Sequence, residues 1–194
     1  MIIWINGAFG AGKTQTAYEL RRRIKHAYVY DPENAGYFIR ENVPPAIREG
    51  DFQNYPMWRT FNREMLDYIA SRFSGVILVP MTVTDRAYWD EMAGALAEKH
   101  GVRHFILCAR RETLLRRLAS RLEGRRSWAA GHIDRCIAAF ERDIQGEKLY
   151  TDTMSIRETA EQIAALAGVA LTEDRRSGPR RVFDRVLTQL RHIR

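Results

Sequence analysis

Cysteine is scarce. The 194 residues carry two, Cys108 at the end of an apolar run and Cys136 within an expected helix, too far apart in sequence to make a metal-binding pair. His104 and His132 each stand four positions before a cysteine, but on a strand that spacing is about 13 Å, too far to chelate one ion. Both thiols are therefore expected to be buried and reduced. Long apolar runs are missing too, for none approaches the roughly 20 residues that span a bilayer. Nor is there a basic start with a small-residue cleavage site, since Met1 leads straight into an apolar stretch, and a cytoplasmic location is expected. Acidic residues are outnumbered, 24 against 31 Lys and Arg, giving +7. The arginines nevertheless fall in separate places and no nucleic-acid module accompanies them, so no nucleic-acid partner is expected. A hydrophobic content of 45% excludes a disordered chain, and the length suits one domain with a real core.

Against these absences stands one dense motif, Gly7-Ala8-Phe9-Gly10-Ala11-Gly12-Lys13-Thr14. It follows the apolar run Met1-Ile2-Ile3-Trp4-Ile5 and precedes residues 15–24, which read as a helix opening with Gln15, a residue expected at the nucleotide with the octet. Strand, loop and helix form the context that a Walker A phosphate loop requires. Gly7 opens a tight turn, while Gly10 and Gly12 let main-chain N–H groups close on phosphate oxygens at the positive end of the helix. Lys13 is expected to reach the β and γ phosphates, and the Thr14 hydroxyl to join the Mg²⁺ sphere. ATP or GTP with magnesium is the cofactor that this pattern requires.

The rest of the chain alternates strand and helix, which predicts βαβ units and a parallel sheet of about five strands between helical layers. Ala27-Tyr28-Val29-Tyr30 reads as a second strand ending at Asp31-Pro32-Glu33. Ligands gather beyond the carboxyl ends of parallel strands, so Asp31 is a candidate to take the proton of an acceptor hydroxyl or hold a magnesium-bound water. Residues 36–62 are irregular and aromatic-rich. Phe52, Tyr55 and Trp58, interleaved with Arg40 and Arg59, are expected to line an acceptor pocket. The buried strand 75–80 ends in Pro80, where a hydrolytic P-loop ATPase would place a magnesium-holding carboxylate, which argues against a motor. Thr82, Thr84 and Asp85 are candidate polar groups at the mouth of the cleft, and Asp85 equally suits the cap of the next helix. A helix from near Arg111 carries Arg117, and Arg121 four residues on shares its face, so both are expected at the polyphosphate as part of a lid over about 117–130.

A last short strand reaches Thr151-Asp152-Thr153, after which Ser155 caps a helix with Glu158 in the capping-box position. Residues 1–173 thus form the main domain. Residues 174–194 are a polar hinge and an amphipathic helix, whose apolar face holds Val182, Phe183, Val186, Leu187, Leu190 and Ile193. Such a helix can pack that face on its own domain or lie on an anionic membrane surface.

In order and content the chain resembles the P-loop small-molecule and nucleotide kinases, among them gluconate kinase, shikimate kinase and chloramphenicol phosphotransferase. More closely it resembles the tunicamycin-resistance protein family along nearly its whole length. The stretches that carry this include Met1-Ile2-Ile3-Trp4-Ile5-Asn6-Gly7, Val29-Tyr30-Asp31-Pro32-Glu33, Asp51-Phe52-Gln53, Val79-Pro80-Met81-Thr82, Ser127-Trp128-Ala129-Ala130 and Ile133-Asp134-Arg135-Cys136. The resemblance implies an ATP-binding protein associated with resistance to tunicamycin, a lipid-tailed nucleoside antibiotic, and membrane-surface contact through the last helix. It also implies that Arg117 flanks the adenine, that Arg121 touches phosphates, that residues 151–153 border the base, and that Arg40 and Arg59 lie where an acceptor phosphate is clamped. The expected activity is ATP-dependent phosphotransfer to a small molecule such as tunicamycin. The alternatives are a drug-sequestering protein without turnover and a nucleotide kinase with a metabolic acceptor.

Overall fold

The structure is a computed structural model that describes residues 1–120 and 128–191. Strand β1 (Ile2–Gly7) is buried at every position, as a strand covered on both faces must be. The glycine loop leads into α1 (Lys13–Arg23), followed by β2 (Ala27–Val29), α2 (Glu33–Asn42), two single turns at Pro45–Ile47 and Phe52–Asn54, and α3 (Pro56–Arg72). Then come β3 (Val76–Pro80), α4 (Arg86–Trp89), a π-helical segment (Asp90–Gly94), α5 (Ala95–His100), β4 (Val102–Cys108) and α6 (Arg111–Ala119). The order ends with α7 (Trp128–Gly131), α8 (Ile133–Arg142), β5 (Glu147–Tyr150), α9 (Ile156–Ala167) and α10 (Gly178–Arg191).

The strands form one parallel sheet in the order β2-β3-β1-β4-β5, the α/β fold that the alternation predicts. Alternate side chains of β1 serve two cores, because successive strand residues point to opposite faces. Ile3 and Ile5 pack with Leu20 of α1, Phe140 of α8 and Ile163 of α9; Ile2 and Trp4 pack with Trp58 and Leu66 of α3 and Met92. This three-layer arrangement puts the carboxyl ends of β1, β2 and β3 on one edge, where the site is found. Cys136 is buried and Cys108 half-buried, both as free thiols. No helix among the described residues is long and apolar enough to cross a membrane.

Three expected elements differ in detail. The helix that opens at Arg86 runs into the π segment, and the helix that the pattern predicts over 131–144 begins at Ile133, behind the separate turn α7 and His132. Helix α6 ends at Ala119, so it carries Arg117, whereas Arg121 and half of the expected lid, residues 121–127, lie outside the described residues. Ser155 and Glu158 form the expected capping box, with Ser155 Oγ accepting from the Glu158 amide and the Glu158 carboxylate accepting from the Ser155 amide.

The largest departure is α10. It lies against α1 by its polar side, and Val182, Phe183, Val186 and Leu190 are each about half exposed. Asp184 and Thr188 are buried instead. Arg22 donates to the Asp184 carbonyl at 3.1 Å and to Thr188 Oγ1 at 2.7 Å, and Gln15 Nε2 donates to the Arg185 carbonyl at 2.9 Å. Just before the helix, Arg176 pairs with Asp174 at 2.7 Å, with Asp184 at 3.1 Å, and with Glu19. The outer face of α1 presents Glu19 and Arg22, so a helix that satisfies those charges outcompetes one that offers only apolar surface.

Hydrogen bonding from Arg176 holds the Asp174 carboxyl down at about 2, below its ordinary 3.8, against the upward push of burial. A carboxyl depressed in the folded chain stabilises fully above its unfolded value and loses that contribution as pH falls towards its folded value. Thermal unfolding should therefore show part of the stability draining between about pH 4 and pH 2. Asp174→Asn should be less stable at neutral pH and shallower across that window.

Candidate functional site

The loop after β1 is fixed by backbone geometry that only glycine supplies. Gly7 and Gly10 have φ of 145° and 84°; a Cβ at Gly7 would stand 2.7 Å from the Leu107 carbonyl oxygen, and one at Gly10 would stand 2.8 Å from that of Leu114. Gly12 precedes α1 in the left-handed region without a side-chain cap, and the first turn holds no acidic residue. The uncapped amides and helix dipole at this end suit an anion.

Two polar side chains anchor the loop. Asn6, fully buried, accepts from the amides of Gly7 (2.9 Å) and Val83 (3.0 Å) and donates to the Val83 carbonyl (3.0 Å). Thr82 donates its hydroxyl to the Gly7 carbonyl at 2.8 Å. The Lys13 ammonium, nearly buried, donates to the carbonyls of Gly7 (3.0 Å) and Ala8 (3.1 Å) and lies 5.4 Å from the Phe9 ring centre. Such an ammonium is largely desolvated, at the start of a helix whose first turn has no side-chain cap. It fits a polyphosphate, as does a loop whose glycines leave its main chain uncovered by side chains.

A cavity of about 470 Å³ opens from Gly10, Lys13, Thr14 and Gln15 towards α2 and the turn at Phe52–Asn54. Its far wall includes Glu33, Tyr37, Arg40, Asp51, Phe52 and Gln53, with Trp128 and, from α10, Thr188 and Gln189 completing it. Arg40 lies 5.7 Å from the centre of the Phe52 ring. Tyr37 donates to Glu33 at 3.4 Å, and burial together with the Glu33 charge pushes its phenol up to about 12, so it stays a hydrogen-bond donor at neutral pH. Asp51 accepts from the Gln53 amide at 3.0 Å and pairs with Arg135 of α8 at 3.7 Å. Trp128 meets Phe9 edge to face at 5.3 Å and stacks on His132.

Away from this wall, Arg117 donates to the Thr151 hydroxyl at 3.1 Å and to the Thr151 carbonyl at 2.5 Å, joining α6 to the loop after β5. Asp152 accepts from the Arg110 amide at 3.1 Å, and Thr153 is exposed.

The structure thus gathers Lys13, Thr14, Gln15, Arg40 and Phe52 around one cavity, and brings Arg117 to residues 151–153. Three expected acceptor residues are placed elsewhere. Trp58 is fully buried and donates to the Pro32 carbonyl at 3.0 Å; Tyr55 is buried with its hydroxyl accepting from the Glu49 amide at 2.7 Å. Arg59 is committed to Glu91 at 2.6 Å and to the Gln53 carbonyl at 2.5 Å, under the Tyr88 ring. An α3 face that reads as pocket lining is thereby occupied in holding α2 and the π segment to the core. Asp31 is half-buried and accepts from the Glu33 amide at 3.0 Å, turning the chain into α2, while Glu33 reaches the cavity. Asp85 caps α4 by accepting from the Tyr88 amide at 3.0 Å. Glu33 was legible as the second carboxylate after β2; Asn6, Thr188 and Gln189 carried no sequence signal.

The glycine loop predicts its own sensitivity. Gly10→Ala, which forces a Cβ against the Leu114 carbonyl, should lower unfolding stability by about 1–3 kcal/mol. In calorimetry it should also weaken binding of AMPPNP with magnesium at least about tenfold.

Residues 2–142 match the AAA domain family. A comparison with curated protein sequences finds no match. Among solved structures, the tunicamycin resistance protein of Deinococcus radiodurans superposes with a TM-score of 0.74 at 31% identity, covering 89% of this chain and 98% of that one. Shikimate kinase from Bacteroides thetaiotaomicron gives 0.58 at 18% identity over 87% of this chain and 99% of its own. The APS kinase of Mycobacterium tuberculosis, solved with AMPPNP and APS, gives 0.58 at 19% identity over 86% of this chain and 96% of its own. At these last two identities the likeness shows the fold alone. Taken with the glycine loop at the end of β1, the match over residues 2–142 and the 31% identical relative show that the chain belongs to the AAA domain family and to the tunicamycin resistance protein family.

Proposed function

We propose that the protein is an ATP-dependent phosphotransferase that moves the γ-phosphoryl group of ATP to a hydroxyl of a small molecule, with tunicamycin or a related nucleoside as the leading acceptor. The observation that carries this reading is the sharing of one cavity by the phosphate loop and a carboxylate-lined wall, with Lys13 and Thr14 on one side and Glu33 and Asp51 on the other. A hydrolase needs only the first half. A second wall with Arg40, Phe52 and Tyr37 supplies charge, an apolar face and a hydroxyl for an organic acceptor.

In the proposed reaction the acceptor oxygen attacks the γ phosphorus, a new P–O bond forms, and the bond to the bridging oxygen of ADP breaks. The hydroxyl proton passes to a carboxylate after β2. Asp31 was the expected base, and Glu33, two residues later and at the cavity, is the better placed of the two. Lys13 turns from the carbonyls of Gly7 and Ala8 to the β and γ oxygens, where its charge offsets what builds up as ADP leaves. Arg117 and residues 151–153 border the adenine, and Arg40 faces an anionic or polar group of the acceptor. Magnesium would neutralise the phosphates and orient them for in-line attack. The Thr14 hydroxyl, on the cavity beside Lys13, would be the protein group that holds it. The tunicamycin assignment draws on the Deinococcus radiodurans relative.

Incubation of the purified protein with Mg-ATP and tunicamycin should give tunicamycin carrying one added phosphoryl group by mass spectrometry, with equimolar ADP. No modified drug under conditions where AMPPNP binds would contradict the assignment. Glu33→Gln should lower kcat by about 10²–10⁴-fold, the usual worth of a positioned base, while AMPPNP affinity stays within about twofold. An unchanged kcat would move the role to Asp31 or Asp51.

A further inference from the structure

Helix α10 closes one side of the same cavity with polar groups. Thr188 and Gln189 share its wall with Thr14, Gln15 and Glu33. Gln15, Glu19 and Arg22 are spaced four and three apart, so they form one face of α1. Each of them meets α10 or the segment just before it. Thr188 is held from two directions, donating to the Asp184 carbonyl at 2.8 Å and accepting from Arg22 at 2.7 Å, which fixes the helical turn that carries Gln189.

Another flank of α1 belongs to α9. Arg23 pairs with Glu161 at 2.8 Å, and a Cβ on Gly12 would lie 3.1 Å from Ile156 at the start of α9. Helix α9 begins just beyond residues 151–153, the loop that Arg117 binds. Helix α10 therefore uses a different face of α1 from the nucleotide-base side, and it shares its cavity with Glu33, Tyr37 and Arg40 of α2.

Gln15 ties α1 to α10 at this seam. Its Nε2 is spent on the Arg185 carbonyl, which orients the carboxamide, and its Oε1 is buried with no hydrogen-bond partner among the described residues. That oxygen has essentially no accessible surface, so the Gln15 side chain serves to hold α10. Gln189 places a second carboxamide on the same wall, able both to donate and to accept.

We propose that the Gln189 carboxamide is the reading edge for the acceptor, and that it selects a neutral hydrogen-bonding group, as on a nucleoside base or a sugar. The inference rests on the phosphotransferase reading for its assignment of the cavity to an acceptor. Gln189 touches the acceptor; Gln15 and Arg22 are positioning residues that hold α10 in place.

The test is calorimetric binding of tunicamycin to the full chain loaded with AMPPNP and magnesium, alongside AMPPNP binding alone. Gln189→Ala should weaken tunicamycin binding roughly five- to tenfold, the worth of one hydrogen bond, and leave AMPPNP within about twofold. Arg22→Met should weaken the drug in the same direction, and Gln189→Ala should add little on top of it, because both losses act through the one helix turn. Thermal unfolding of each variant establishes that it folds. A shift in AMPPNP affinity in place of drug affinity would overturn the proposal by giving the edge to the nucleotide, and unchanged drug affinity would overturn it outright. Drug binding that depends on Gln189 without phosphoryl transfer in wild type would refute the phosphotransferase reading and keep the edge. No drug binding by wild type would sink both.

Discussion

A main chain bent through positive φ and pressed between two carbonyls is the constraint on which the site depends. Gly7 stands against the Leu107 carbonyl of β4 and Gly10 against the Leu114 carbonyl of α6. Neither position has room for a side chain, so the loop is set by its neighbours as well as by its own sequence. Asn6 and Thr82 then tie it to the segment after β3. Because β1 is the central strand, buried on both faces, the loop is anchored to the stiffest part of the molecule. Preorganisation of this kind means that little reorganisation is needed when an anion arrives.

The Lys13 ammonium sits within that frame with its hydrogen bonds supplied by loop carbonyls. Burying an ammonium is costly unless it is paired, and carbonyl dipoles pair it less well than phosphate would. The residue is thereby poised to exchange partners. Across the cavity, Glu33 and Asp51 carry the opposite charge, and Arg40 and Tyr37 give donors. The two walls differ in chemistry as the two substrates of a phosphoryl transfer do.

Much of this could be read from the sequence because the signals are local. A Walker A octet after an apolar strand, a capping box at Ser155 and Glu158, and strand-helix alternation each depend on neighbours within a few positions, and the fold follows. What escaped depends on distant partners. Arg59 carries the same residue type as a phosphate clamp, but Glu91 and the Gln53 carbonyl consume it. Asp31 and Glu33 are both carboxylates after β2, and only the start of α2 decides which one reaches the cavity. The amphipathic pattern of α10 offers its apolar stripe as the packing face, whereas Arg22, about 160 positions earlier, selects Asp184 and Thr188. Periodicity records that a helix has two faces; which face is buried is set by the surface it meets.

The measurement that bears most directly on all of this is isothermal titration of AMPPNP with magnesium into wild type and Lys13→Ala. Removal of a buried ammonium that would grip two phosphates should weaken affinity by about a hundredfold, ~2.7 kcal/mol, while the thermal midpoint without nucleotide does not fall, because the variant also sheds the burden of burying a charge. Equal affinities for the two proteins would contradict the account, since the cavity could then not be a triphosphate site built on this loop.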